Sequence, residues 1–368
     1  MVGEYTSVVE AKLATMRAEY EALVRDGRGW SLRALFSTDD CDIVDFCTGF
    51  APNRFGAQAC AEVEQFCRGY GIWLETGGAH YNSMTPYLHP HAATAERMTI
   101  IGIYNAILFW LNDTVGREKF AHLTDAERRQ AGVTVESLAT LLETRSAVTD
   151  PTPVEAATAD FLELVGRHGD PEWLALFLHS TIAHLIPAIR DQNARARGEL
   201  LTVAEYIDLR SHVSGMYPAI ALCEFGRDVY LPWERIRAAG LDVDLLGLRR
   251  LTVEIGALMN DVFSFEKEWV HDRADFNLIP VCLLNTPGAT LSDAVRDAAR
   301  IVRDRLTEFR RVRARIGGIC GEITDRSVAE AVSDHVEDLL ACVQATWVWQ
   351  NTTLRYKGTS IFDENRLA

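Results

Sequence analysis

Apolar positions recur three and four residues apart along nearly the whole chain, the spacing that lines one face of an α-helix. Residues 6–26 show it first: Val9, Leu13, Met16, Tyr20 and Leu23 share a stripe, and Gly27 ends it. Comparable stretches cover 57–72, 94–112, 134–145, 153–167, 171–197, 202–226, 242–270, 290–316 and 323–355. Prolines and glycines fall mostly between them, as at Pro86, Pro90, Pro151, Pro232, Pro287 and Gly317-Gly318. Strand-type alternation is nearly absent, and no repeat, low-complexity linker or composition shift divides the chain. The pattern predicts an all-α, single-domain bundle of about ten helices over residues 1–368.

Two stretches are irregular. Within 202–226 the run Ser214-Gly215-Met216-Tyr217-Pro218 places a glycine and a proline mid-helix. Proline has no amide hydrogen for the carbonyl four residues back and crowds it, so a break is expected with the Ser214 carbonyl left without that partner. Pro187 in 171–197 is read as a tolerated kink.

Composition narrows the function. Lys+Arg number 37 against 52 Asp+Glu, a net charge of −15, with a pI near 5.2. That balance argues against nucleic acid as the main partner, and a polyanionic ligand would need metal cations as intermediaries. No apolar run approaches the roughly 20 residues that span a bilayer, and the first residues show no secretory signal. The 8 cysteines are scattered without a Cys-x-x-Cys pair and read as small buried apolar groups of a cytoplasmic protein.

The stretch that carries chemistry is Asn260-Asp261-Val262-Phe263-Ser264-Phe265-Glu266-Lys267-Glu268. Asn260, Ser264 and Glu268 stand four apart, so on a helix they drift only about 80° and share a face. Amide, hydroxyl and carboxylate oxygens are hard ligands that suit Mg2+ and not zinc. One formal charge holds such an ion weakly unless a phosphate completes its shell, and Lys267 can reach the same phosphate. The apolar neighbours Val253, Ile255, Leu258, Met259, Val262 and Phe263 argue against a solvated face.

This motif resembles the second metal motif of the class I terpene synthases, in which a lysine directly precedes the final glutamate, as Lys267 precedes Glu268. The resemblance implies an all-α fold of the class I terpenoid synthase type, binding an isoprenoid diphosphate through Mg2+ (three ions) and triggering its ionisation. It further implies a diphosphate-sensing arginine followed four residues later by an effector carbonyl at a helix break, and Arg210 and Ser214 have that spacing. Val213 stands where relatives often have Asp. Arg355-Tyr356 is similar to the pair that donates to the diphosphate on closure, and Asn277-Leu278 after Asp275 to the usual sequel of the metal motif. A homodimer is also implied.

The first metal motif departs from the family. The matching region is Asn112-Asp113-Thr-Val-Gly116-Arg-Glu118, where Asn112 replaces the first aspartate and Gly116 stands in place of a third acid. Asp113 is the expected ligand, with Asn112 second. Glu118 lies about 140° round an ideal helix from Asp113 and would need a bulge to join.

Other acid and histidine clusters are weaker. Asp39-Asp40-Cys-Asp42-Ile-Val-Asp45 reads as a solvated loop or helix start, and His89-Pro90-His91 lacks further zinc ligands. Phe109, Trp110, Tyr104, Tyr217, Phe263 and Trp347 are candidates for an aromatic wall that stabilises a carbocation. Trp347 and Trp349, two apart, should not both face inward. The expected activity is terpene cyclisation of farnesyl or geranylgeranyl diphosphate. The alternatives are a chain-elongating prenyltransferase, which needs a second aspartate-rich element, and a non-catalytic isoprenoid-binding relative.

Overall fold

A computed structural model describes residues 2–120, 122–146 and 148–367, with the side chains of residues 2–7, Arg117 and Glu118 outside the description. Among the described residues there are helices and isolated bridges but no strand. The helices that matter to the site are α1 (Val2–Arg25), α2 (Gly56–Tyr70), α3 (Gly78–Asn82), α4 (Ala95–Val115), α5 (Asp125–Thr144), α6 (Pro153–His168), α7 (Pro171–Ala188), α8 (Val203–Val213), α9 (Met216–Arg227), α10 (Asp242–Phe263), α11 (Leu278–Asn285), α12 (Leu291–Glu322) and α13 (Arg326–Thr352).

Most boundaries follow the sequence expectation, and the departures have physical reasons. The 171–197 stretch ends as α7 at Ala188, one residue past Pro187, whose carbonyl is taken by the Gln192 side chain at 2.7 Å. Helix α12 runs through Gly317-Gly318 to Glu322, because Val312, Ile316 and Cys320 keep its buried stripe in register. Helix α11 was not predicted: Leu278 to Leu284 are all buried, and a helix apolar all round shows no period. Trp347 and Trp349 are both buried, correcting the expectation that only one would face inward, because α13 is enclosed on several sides. Helix α4 is long and apolar enough to cross a membrane by composition, against the expectation of no such run. It packs on α2 and α6 within the bundle.

Two apolar cores form. One gathers α10, α12 and α13 around Leu258, Val262, Val302, Phe309 and Leu339. The other gathers α2, α4, α5, α6 and α7 around Val63, Ile101, Leu138, Phe161 and Phe177. Helix α10 is buried on all faces from Leu251 to Met259. It can therefore carry the second motif into the interior, between the two cores.

Candidate active site

A cavity of about 170 Å³ lies between the cores. Its walls come from α4, the end of α7, the α8–α9 break, α10 and the end of α13. Leu108, Phe109, Leu185, Val213, Met216 and Trp349 are among the apolar groups around it. Its polar end holds Asn112, Arg210, Ser214, Asn260, Ser264, Lys267, Glu268, Arg355 and Tyr356. Four separated segments thus bring one set of oxygens and cations to an apolar hollow.

The row on α10 keeps its spacing. The amides of Ser264 and Glu268 bond the carbonyls of Asn260 and Ser264 at 2.8 and 2.8 Å, the α pattern. The last member of the row already lies in a π-helical segment, Glu266–His271, correcting the expected α-helix to 270. The Lys267 and Glu268 carbonyls receive the amides of Asp272 and Ala274, five and six residues on. This wide turn brings Asn277 back beneath the row, where its Nδ2 donates to Glu268 Oε2 at 2.9 Å and to the Asp261 carbonyl at 2.7 Å. Insertions of this kind often sit at functional sites.

Arg210 is fixed by a residue that sequence reasoning passed over. Its Nε donates to Asp261 Oδ1 at 2.7 Å and its Nη2 to Asn260 Oδ1 at 3.1 Å. Asp261, with no exposure, also accepts from the Tyr206 hydroxyl and the Leu278 amide. Burial opposes the charge on Arg210, but Asp261, Tyr206 and Glu268 outweigh it and hold the guanidinium firmly protonated. The only sequence signal was the adjacency Asn260-Asp261, which turns one side chain to the cavity and the next about 100° away toward α8.

Asn260 Nδ2 donates to Gln350 Oε1 and to the Tyr356 hydroxyl, both at 3.0 Å. Lys267 pairs with Asp272 at 3.0 Å, and Lys119, just past the first motif, reaches the same carboxylate at 3.2 Å. Asp272 therefore ties the two motifs together.

The first motif is arranged differently from the second. Asn112 lines the cavity, whereas Asp113 accepts from the Tyr81 hydroxyl, pairs with Arg355 at 3.5 Å and receives the Asn112 amide at 3.0 Å. Arg355 also donates to the Tyr81 hydroxyl and lies 4.2 Å above the Tyr81 ring, which stacks at 4.2 Å on Phe109. Burial lowers the Arg355 pKa below its ordinary value, with Tyr356 working against the shift. Tyr81, on α3, had no distinguishing pattern in the sequence. The side chain of Glu118 lies outside the described residues.

The expected break falls at Ser214–Gly215, with Gly215 at φ 77° between α8 and α9. Pro218 lies in the first turn of α9, where its missing amide costs that helix nothing while leaving the Ser214 carbonyl without an i+4 donor. Gly256 on α10 faces this break. A Cβ there would lie 2.7 Å from the Met216 methyl, so the glycine admits Met216 to the cavity wall.

Among the aromatic candidates, Phe109 lines the cavity and Trp349 joins it. Tyr104 packs on Phe161 and Phe177, Phe263 and Trp347 pack on each other and Phe36, and Tyr217 lies against His212. Trp110 is half-buried against the second core. Asp42 caps a short helix and Asp40 pairs with Arg310. His89 is buried beside Cys223, and His91 pairs with Asp338.

The donor set of the α10 row fits a hard divalent cation: an amide oxygen, a hydroxyl and a buried carboxylate at the edge of a low-dielectric hollow. A metal-dependent bundle with a cationic mouth over an apolar cavity defines the class I terpene synthases. A family model described as Terpene synthase family 2, C-terminal metal binding, matches residues 103–308, more than half of the chain. The chain belongs to that family and is a terpene synthase.

It is 24% identical over 274 residues to a 7-epi-alpha-eudesmol synthase of Streptomyces viridochromogenes, covering 73% of this chain and 76% of the relative. It is 23% identical over 276 residues to a 10-epi-cubebol synthase of Sorangium cellulosum, covering 75% and 83%. The fold matches a crystal structure of a-eudesmol synthase with a TM-score of 0.69 at 19% identity, covering 83% and 97% of the two chains. A linalool/nerolidol synthase of Streptomyces clavuligerus in complex with 2-fluorogeranyl diphosphate matches with 0.68 at 20% identity and the same coverages.

One residue beside the row reports on pH. Glu266 accepts from the Ser360 hydroxyl at 2.7 Å and the Ile361 amide at 3.0 Å, anchoring the C-terminal tail to the back of the motif. Burial raises its carboxyl to about 7 from 4.5, against the lowering effect of these bonds. A raised native pKa contributes stability that is fully present below pH 4.5 and lost as pH rises through 7. Glu266→Gln should therefore gain on the wild type by up to about 3 kcal/mol between pH 4 and 8, at about 1.4 kcal/mol per pKa unit. Urea unfolding across that range checks it, and parallel pH curves for the two proteins would contradict it.

Proposed function

We propose that this enzyme ionises farnesyl diphosphate with Mg2+ and cyclises the resulting cation to a sesquiterpene, releasing diphosphate. The observation that carries the proposal is the Asn260–Ser264–Glu268 row facing the same apolar cavity as Arg210, Lys267, Arg355 and Tyr356. The curated relative with 76% of its length matched carries (2E,6E)-farnesyl diphosphate in its name, which supports the fifteen-carbon substrate over the twenty-carbon one.

Asn260, Ser264 and Glu268 would hold Mg2+ (three ions in all), with Asp113 or Asn112 opposite. The ions would supply positive charge that neutralises the leaving diphosphate. Arg210, Lys267 and Arg355 donate to diphosphate oxygens, and Tyr356, whose oxygen accepts from Asn260, keeps its own proton to donate. Held in place before the bond breaks, these donors stabilise charge as it develops on the leaving group. The Ser214 carbonyl, left without an i+4 donor at the cavity wall, would turn its negative end to the allylic carbons as they become positive. Phe109 and Trp349 line the cavity, where their rings would stabilise the migrating charge, and the apolar wall would exclude water that quenches it.

Incubation with geranyl, farnesyl and geranylgeranyl diphosphates, with Mg2+ or EDTA, tests this by mass spectrometry of the extract. The expected result is a cyclic fifteen-carbon product from the farnesyl substrate alone, abolished by EDTA. Longer linear diphosphates would make the chain a prenyltransferase, and unchanged substrate would make it a non-catalytic binder.

A further inference from the structure

We propose that His184 is the positioning residue of the helix break, holding the backbone on both sides of Ser214 so that its carbonyl stays aimed into the cavity. This rests on the reading of Ser214 as the group that meets the developing cation.

A break in a helix leaves carbonyls without their i+4 amides, and each needs another donor if buried. In an unbroken helix the His212 carbonyl would accept from the Met216 amide. Here that amide goes to Ser214 Oγ at 3.1 Å, while Ser214 Oγ itself donates to the Ser211 carbonyl at 2.8 Å. The donor that replaces it at His212 comes from another helix. His184 Nδ1, on α7, lies 3.1 Å from the His212 carbonyl oxygen. A carbonyl only accepts, so Nδ1 carries the hydrogen, and that bond orients the ring.

The same ring covers the other side of the break. A Cβ built on Gly215 would stand 3.6 Å from both Cε1 and Nε2 of His184, so the ring stands where a side chain at Gly215 would reach it. One buried imidazole thus bonds the carbonyl two residues before Ser214 and stands beside the residue after it. It lines the same cavity as Ser214. Within the break the left-handed Gly215 has no side chain to cap α9, and Ser214 Oγ bridges the Met216 amide and the Ser211 carbonyl. Those bonds hold the Ser214 side chain, whereas rotation of its peptide would swing the carbonyl dipole away from the substrate. The clamp from α7 opposes that rotation.

The chemistry of the donor supplies the test. An asparagine amide nitrogen sits at the position of histidine Nδ1, a glutamine amide nitrogen one bond farther out, and leucine has no donor. With farnesyl diphosphate and Mg2+, His184→Leu and His184→Gln should lower kcat at least about tenfold with KM within about threefold, the pattern of an interaction used in the transition state. His184→Asn should recover to within about threefold of the wild-type kcat. Amide hydrogen exchange over residues 213–219, read without substrate, should be faster in the Leu and Gln variants than in the wild type and the Asn variant. Wild-type kcat in the Leu variant, an Asn variant as slow as Leu, or equal exchange in all four proteins would each overturn the proposal. If the Leu variant fails to fold, the Asn–Gln contrast decides. If the wild type consumes no prenyl diphosphate, the functional reading fails, and the exchange experiment still decides the clamp.

Discussion

Glu268→Gln is expected to lower the turnover of farnesyl diphosphate by about 10³-fold, roughly 4 kcal/mol of barrier, while the helical content stays unchanged. Glu268 is the single carboxylate in the α10 row, so the amide removes the only formal negative charge that the row offers a divalent cation. The replacement keeps the volume. Its oxygen can still accept from Asn277 Nδ2, which leaves the amide NH2 turned toward the place of the metal, where it cannot ligate. Steady-state kinetics over a Mg2+ series, with far-UV circular dichroism, measure both quantities. Turnover within tenfold of wild type would mean that this row does not hold the ion on which ionisation depends.

The second large effect concerns stability. Asp261→Asn should destabilise the fold by about 3–5 kcal/mol, because it leaves the Arg210 guanidinium buried without its counter-charge. Arg210 and Asp261 side chains are 4% and 0% exposed, so water cannot take over the role of the lost carboxylate. The Tyr206 hydroxyl and the Leu278 amide lose their charged acceptor at the same time. Urea unfolding measures the loss, and the double variant Arg210→Leu/Asp261→Asn should recover part of it, since an uncharged pair leaves no orphan charge. A loss under about 1 kcal/mol would place the pair in an environment wet enough to screen it. The position of Arg210 in the active site would then need another cause.

The two predictions separate two kinds of residue that stand side by side in one motif. Asn260, Ser264 and Glu268 have a spacing that is visible in one dimension, because four residues make nearly one helical turn. Asp261 has no such mark. Its role depends on α8 arriving against α10 with Arg210 at the right height, a fact about packing. The same distinction runs through the rest of the site. The break at Ser214 was legible because proline and glycine act through their own backbone chemistry wherever they stand. The clamp by His184 was not, because a histidine on an apolar helix has no periodic signature. Tyr81 and Asp272 join partners 32 and 153 residues away in the chain. Only closure of the bundle could reveal them.

Helix boundaries divide the same way. Helices with one buried stripe, such as α12, are visible in the periodicity, although its glycine pair reads locally as a stop. Helix α11 escaped because every side is buried. The π-helical segment around Glu268 has no mark in the sequence, because a widened turn leaves the local composition unchanged.

The order of apolar and polar residues therefore determined on its own that this protein is helical, where its main breaks fall, and that one helical row carries three oxygen-bearing side chains beside a lysine. Those properties depend on backbone geometry and residue type within a few positions. Which cations meet that row, which aromatic rings line the hollow, and how Asp113 and Arg355 are turned at its mouth were decided only by the tertiary structure. Contacts between distant segments follow from how whole helices bury their apolar area together, and that balance cannot be summed from any local stretch of chain.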